Sequence, residues 1–369
     1  MDNAQFPLDD IFRDSLGLTD KKRRIDMNDV QFSLDDIFGD SLNLTLDDDE
    51  KVEEEVVVNS IPKLVKVRKD GIVILDDTLM DDIKKKNLSA SMISSFFQCP
   101  ADWVMNSFLL PKMDYEEPIH FVHGNMFHSI MEKFFTLKKS QRNPKTLSQV
   151  AMEVVKENHK EQLNDLETMN WLKEALQGYL ETGFDYANVD VAQIEKSKGK
   201  GLELGVEMFV KGKLGNTTRD VVGFVDRIDD LGDGSLQVVD YKSGKKIYPF
   251  NPKEPISDRN DFGYWRQQLA YTMLLEQLGH KVSKAKLEFP IARGEVIVDV
   301  NNQALRKQVE HDFEVVDAAL NKCIEENFFP FHGHMFCKWC GMLSPKFTPS
   351  KYGQLNISWE EINQYVELL

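Results

Sequence analysis

From about residue 61 onward, apolar and polar positions alternate in patterns that predict a folded domain. SIPKLVKVRKDGIVIL reads as a strand or hairpin turning at Asp70-Gly71. LSASMISSFFQCPADWVMNSFLL and HGNMFHSIMEKFFTL read as helices, the second carrying Phe127, Ile130, Met131, Phe134 and Phe135 at helical spacing. Residues 146–188 continue the helical period. The period then shortens to two. LGVEMFVKGKL, RDVVGFVDRIDD and GSLQVVDYKSG predict three strands, with Gly232 and Gly234 marking a tight turn before the third. A helix around Trp265–Gly279, the strand KAKLEFPI, a helix over about 302–325 and an aromatic, cysteine-bearing segment complete the chain. Helices, then strands, then helix and strand again predict an α/β or α+β domain with a mixed sheet flanked by helices.

The first 60 residues follow neither period. They hold 17 acidic and 6 basic residues, a net of −11, and end in the run Asp47-Asp48-Asp49-Glu50-Lys51-Val52-Glu53-Glu54-Glu55. Such a run repels itself, and the segment is expected to be a disordered tail. It contains a repeat: QFPLDDIFRDSLGLT at 5–19 recurs as QFSLDDIFGDSLNLT at 31–45. Leu8, Ile11, Phe12 and Leu16 share one face of a short helix. Ser33 and Asp36 have capping-box-like spacing ahead of the second copy's helix. A helix this short is marginal in water and is expected to form on a partner. Gln5, Leu8, Ile11 and Phe12, and again Gln31, Leu34, Ile37 and Phe38, resemble the peptide that docks on DNA sliding clamps. A docking peptide for another replication or recombination protein is the alternative reading. Two copies would raise avidity on a multi-subunit ring.

Composition narrows the class. The chain has 369 residues, 61 acidic against 45 basic, and a net charge of −16. Residues 61–369 therefore carry a net of only −5, and a protein that coats nucleic acid by bulk charge is excluded. No run of about 18 apolar residues predicts a membrane span. The opening MDNAQFPLDD lacks the basic-then-apolar order of a signal peptide. Four cysteines in this length make no disulfide framework, so a reducing cytoplasm is expected.

The informative stretch is GFVDRIDDLGDGSLQVVDYKSGKK at 223–246. Two adjacent strands joined by a short turn would present Asp226 from one and Asp240 from the next. Lys242, two residues on, shares the face of Asp240. Paired carboxylates hold Mg²⁺ or Mn²⁺, which polarises a phosphodiester and activates water. The ammonium orients or deprotonates that water and offsets charge in the transition state. An exposed Asp-x-Lys pair with no such role is the bland alternative, less natural after the buried run Val238-Val239.

Taken together, the chain resembles the RecB-type nucleases of the PD-(D/E)XK superfamily, a group that includes phage exonucleases and CRISPR-associated RecB-like exonucleases. The resemblance spans about 88–345 and rests on five ordered blocks: LSASMISSFFQCP, Gly124-x-x-x-His128, GFVDRID, VVDYKSG and Gln267-x-x-x-Tyr271. It implies a restriction-endonuclease-like core with a mixed central sheet. It also implies that His128, Asp226, Asp240 and the Tyr241 carbonyl hold the metal, that Lys242 is the catalytic lysine, and that Gln267 and Tyr271 complete the site. Glu207 is either an extra ligand or an ordinary strand carboxylate.

Many members of that family also hold a [4Fe–4S] cluster on one cysteine in the opening block and three near the C-terminus. Cys99, Cys337 and Cys340 match three of these, and Lys346 stands where the fourth is expected. Cys323 is a poor substitute for it, and His332 or His334 would make a Cys₃His zinc site. An iron–sulfur cluster, zinc and no metal all stay open.

The expected organisation is an acidic tail at 1–60, a strand lead-in at 61–87, the nuclease domain at 88–345 and an extension at 346–369. The expected function is a divalent-metal-dependent DNA exonuclease, phage-encoded, acting in recombination, replication or end processing. DNA would pass Arg227, Lys245, Lys246, Trp265 and Arg266, and the KSKGKG run at 196–201 would track phosphates or form a solvated loop. A catalytically silent DNA-end or partner-binding module and a CRISPR-adaptation nuclease are the alternatives.

Overall fold

The computed structural model describes residues 64–331, apart from 69–70, 110–118, 183–185, 187, 196–200, 246 and 248–262. The repeats at 5–19 and 31–45, with Gln5, Leu8, Ile11, Phe12, Gln31, Leu34, Ile37 and Phe38, lie outside these residues. So do Lys246, nearly all of the KSKGKG run, His332, His334, Cys337, Cys340 and Lys346.

A hairpin opens the domain: β1 (Val65–Arg68) pairs antiparallel with β2 (Gly71–Ile74). Asp76 then caps α1 (Asp77–Lys84), its carboxylate accepting from Leu79 N at 2.7 Å. The LSASM block does not make one continuous helix. Ser89 caps α2 (Ala90–Gln98), Cys99 is extended, and Pro100 begins α3 (Pro100–Val104). The break follows from proline, which disfavours helical backbone at the residue before it and suits the first turn of a new helix. Next come α4 (Ile119–Phe135), α5 (Pro144–Asn158) and α6 (Leu166–Glu181), packed on one another through Phe127, Phe134, Leu147, Leu172 and Tyr179.

The main sheet follows. The short strands β3 (Asp190–Val191), β4 (Gln193–Glu195) and β5 (Leu202–Leu204) lead into β6 (Val206–Gly212), β7 (Val221–Asp230) and β8 (Leu236–Tyr241). Helix α7 (Tyr264–Gln277) crosses to β9 (Val282–Phe289), parallel to β8, and β10 (Gly294–Val298) returns antiparallel. The strand order is β10-β9-β8-β7-β3, with β6 also on β7, so the sheet is mixed. Strand β10 falls in a stretch the sequence pattern did not assign. Helix α8 (Gln303–Glu326) ends at Asn327 in left-handed backbone, and the Asn327 amide brackets Ile74 N and O at 3.0 and 2.9 Å. β11 (Phe329–Pro330) then joins β2.

Two helical layers enclose the sheet. Helix α7 is buried almost all round, against β6, β8, β9, α2 and α8, as expected for a helix without one polar face. Helix α4 approaches β6 and β7 with α5 and α6 behind it. No helix among the described residues is long and apolar enough to cross a membrane.

Candidate active site

Strands β7 and β8 pair from Asp230↔Leu236 to Arg227↔Val239, and there the ladder stops. Beyond that point the Asp226 carboxylate takes the place of a backbone partner: Tyr241 N–H donates to Asp226 Oδ2 at 2.8 Å. The parted strands bring Asp226 and Asp240 together, both buried. Lys242 follows, its N–H donating to the Glu288 carbonyl of β9 at 2.9 Å.

Helix α4 supplies His128. Its Nε2 lies 2.9 Å from the Tyr241 carbonyl and 3.7 Å from Asp226 Oδ2. A neutral imidazole lone pair and a carbonyl oxygen cannot face each other at that separation unless a proton or a cation lies between them. Glu207 stands on β6 at the step between the pairs Val206↔Arg227 and Met208↔Val225, across from Asp226. Its backbone is left-handed, φ 46°, a conformation that costs energy for a residue with a Cβ. Ligand atoms of His128, Glu207 and Asp226 all lie within 4.8 Å of one another.

The electrostatics of this group are unbalanced. Burial, then the Asp226 charge, pushes the Glu207 carboxyl up to about 7. Burial and Asp226 raise Asp240 as well, against the pull of Lys242. Lys242 Nζ is 2.7 Å from Asp240 Oδ2 and donates to Gln267 Oε1 at 3.2 Å. Burial opposes its charge, but Asp240 and Asp226 outweigh that and hold its pKa above the ordinary lysine value. The ammonium also lies 4.4 Å from the centre of the Tyr264 ring. Gln267 Nε2 in turn donates to Tyr271 Oη at 3.2 Å, so Lys242, Gln267 and Tyr271 form one chain along α7. The Tyr271 ring occupies the space over Gly223, where a Cβ would come within 2.2 Å of it. Only glycine fits there, which accounts for the first residue of GFVDRID.

Three residues expected along DNA are elsewhere. Arg227, Trp265 and Arg266 are 1%, 2% and 1% exposed. Arg227 faces away from the site, bound to Asp229 at 2.8 and 3.1 Å, to Glu288 at 3.4 Å and to the Tyr241 hydroxyl, with its guanidinium 4.1 Å from the Phe135 ring centre. Arg266 pairs with Asp312 at 2.8 Å and Ser94 at 3.2 Å. Both guanidiniums are committed to buried carboxylates, Asp229 and Glu288 for one and Asp312 for the other, and are not contacts for a strand. Lys245 is exposed.

A family profile described as the PD-(D/E)XK nuclease superfamily matches residues 87–344. The chain belongs to that superfamily. Among solved structures, a protein from Eubacterium rectale whose own exonuclease assignment is provisional is 12% identical, covering 73% of this chain and 92% of that one with a TM-score of 0.44. The structure of SSO0001 is 13% identical, covering 73% of this chain and 95% of that one with a TM-score of 0.30. A search of curated proteins finds no match.

PD-(D/E)XK nucleases use divalent metal ions, and the residues present suit one. Hard oxygen donors and one imidazole converge, burial and the neighbouring Asp226 charge raise the Glu207 and Asp240 carboxyls, and both Asp240 oxygens are buried without a hydrogen bond of ordinary geometry. Cys99 lies away from this group. Its Sγ accepts from Asp102 N at 3.4 Å, so the thiol caps α3. Cys323 is buried in α8, and burial pushes its thiol up to about 11.

Proposed function

We propose that the protein is a divalent-metal-dependent DNA exonuclease of the RecB type, hydrolysing phosphodiester bonds during recombination, replication or end processing. The observation that carries this reading is the convergence of His128, Asp226, Asp240 and the Tyr241 carbonyl beside Lys242, where β7 and β8 part. His128, Asp226, Asp240 and the Tyr241 carbonyl would hold the ion, with Glu207 as a further oxygen donor. When bound, Mg²⁺ or Mn²⁺ supplies Lewis-acid polarisation of the phosphodiester and makes water a nucleophile at neutral pH.

The chain's own groups do the rest. Lys242, fixed between Asp240, Gln267 and the Tyr264 ring, presents a positive charge that offsets the negative charge growing on the phosphoryl oxygens. Gln267 orients the ammonium through its oxygen and is itself oriented by Tyr271. The N-terminal repeats would recruit a sliding clamp or another replication or recombination protein, and activity on naked DNA is then expected to survive removal of residues 1–60.

The test is digestion of linear DNA labelled at the 5′ or 3′ end, single- and double-stranded, with circular controls, in Mg²⁺, Mn²⁺ or EDTA. Metal-dependent loss of linear DNA, abolished by Lys242→Ala, is expected. Well-folded protein that binds Mn²⁺ and cleaves nothing would return the binding-module reading.

A further inference from the structure

Strands β6 and β7 carry a second pair of large side chains beside the acidic ones. Phe209 and Phe224 are direct cross-strand partners, with ring centroids 5.3 Å apart and planes at 60°. Phe224 is 57% exposed and Phe209 half-buried. Phe209 is two residues after Glu207 and Phe224 two before Asp226, so the rings lie about 7 Å along the strands from the carboxylates. The neighbours of Phe224 fix its side of the sheet. Gly223 lies under the Tyr271 ring, and Val225 is fully buried in the core that α7 closes. Phe224 therefore projects from the other face, the one α4 approaches with His128.

A single exposed phenylalanine needs no explanation. Here the ring is half of a pair, set next to the site and more than half exposed. We infer that Phe209 and Phe224 form a stacking platform for an unpaired nucleobase next to the scissile phosphate, which makes a single-stranded or frayed DNA end the preferred substrate. A base in a duplex already has both faces stacked, whereas an unpaired base offers a π-face that any aromatic ring can take without reading sequence. A base is also the occupant that continuity requires, since a strand whose phosphate reaches Asp226 and Asp240 must lay its neighbouring nucleotides over the adjoining surface. The inference rests on the nuclease reading above.

The experiment uses the full chain and single-stranded DNA carrying 2-aminopurine, whose emission falls on stacking, near one end. Binding is read with Mn²⁺ in a Lys242→Ala background, so that the strand stays intact. Quenching is expected with Phe224 present, lost in Phe224→Ala and retained in Phe224→Trp. In the active protein, Phe224→Ala should raise KM for single-stranded DNA about tenfold, the order of one lost base–aromatic stack, with Mn²⁺ affinity unchanged. An abasic nucleotide beside the cut should mimic the substitution. Quenching that persists in Phe224→Ala, an unchanged KM, or abasic DNA cut as well as intact DNA each overturns the platform while leaving the nuclease standing. A wild-type protein that neither binds nor cuts DNA overturns both.

Discussion

Asp226 and Arg227 are neighbours on one strand, yet they belong to two buried charge clusters of opposite character. Around Arg227 the charges balance. Arg227 and Lys286 meet Asp229 and Glu288, and the hydroxyl of Tyr241 and the ring of Phe135 complete the guanidinium's surroundings. Around Asp226 they do not. Glu207, Asp226 and Asp240 face one lysine and one imidazole, and two of the carboxyls are driven toward protonation. The lesson is that a buried charge whose partners are all present holds the fold, whereas a buried surplus of one sign is a site waiting for its counter-charge. The Tyr241 residue joins the two. Its side chain closes the balanced cluster while its carbonyl and N–H face the unbalanced one.

If that contrast holds, substitutions in the two clusters should separate stability from activity. The largest effect is expected from Lys242→Ala, a loss of about 10²–10³ in kcat that persists in fully folded, Mn²⁺-loaded protein, read by single-turnover digestion beside a melting curve. Arg227→Met should do the reverse. It strands Asp229 and Glu288 without their guanidinium, and removing one partner of a buried ion pair costs about 3–5 kcal/mol, measurable as a lowered urea midpoint. Any activity lost should then follow the folded fraction.

A smaller effect tests the surplus itself. Because the folded state holds the Glu207 carboxyl at about 7, above its ordinary value, the metal-free fold binds more protons than the unfolded chain in between. Its contribution to stability therefore falls as pH rises toward 7. In EDTA the protein is expected to melt at a higher temperature at pH 6 than at pH 7.5 through this group, and Glu207→Gln should reduce that difference. The smallest effect concerns Tyr264. Removing the ring beside Lys242 in Tyr264→Leu should lower kcat a few-fold, in keeping with about 0.5–1 kcal/mol for a cation–π contact, and Tyr264→Phe should restore it.

Much of this was legible in the sequence. The period-two runs locate β6, β7 and β8, and the short Gly232–Gly234 turn between two such runs makes Asp226 and Asp240 neighbours. The rest depended largely on partners remote in the chain. Arg227, Trp265 and Arg266 read as strand contacts because they are basic or aromatic beside the site, yet all three are buried, Arg227 on Asp229 and Glu288 and Arg266 on Asp312. Glu207 read equally well as an ordinary strand carboxylate. What sets it apart is its left-handed backbone near the start of β6, which no alternation pattern announces. The break at Cys99 was visible in Pro100, and the helical period on both sides hid it.

The most direct test of the surplus-charge account is a pair of measurements on Asp240→Asn: Mn²⁺ titration and metal-free unfolding. Removing one charge from an over-acidic buried site should abolish or greatly weaken Mn²⁺ binding while leaving the metal-free fold at least as stable as wild type. An Asp240→Asn protein that binds Mn²⁺ like wild type, or that unfolds more easily without metal, would contradict it.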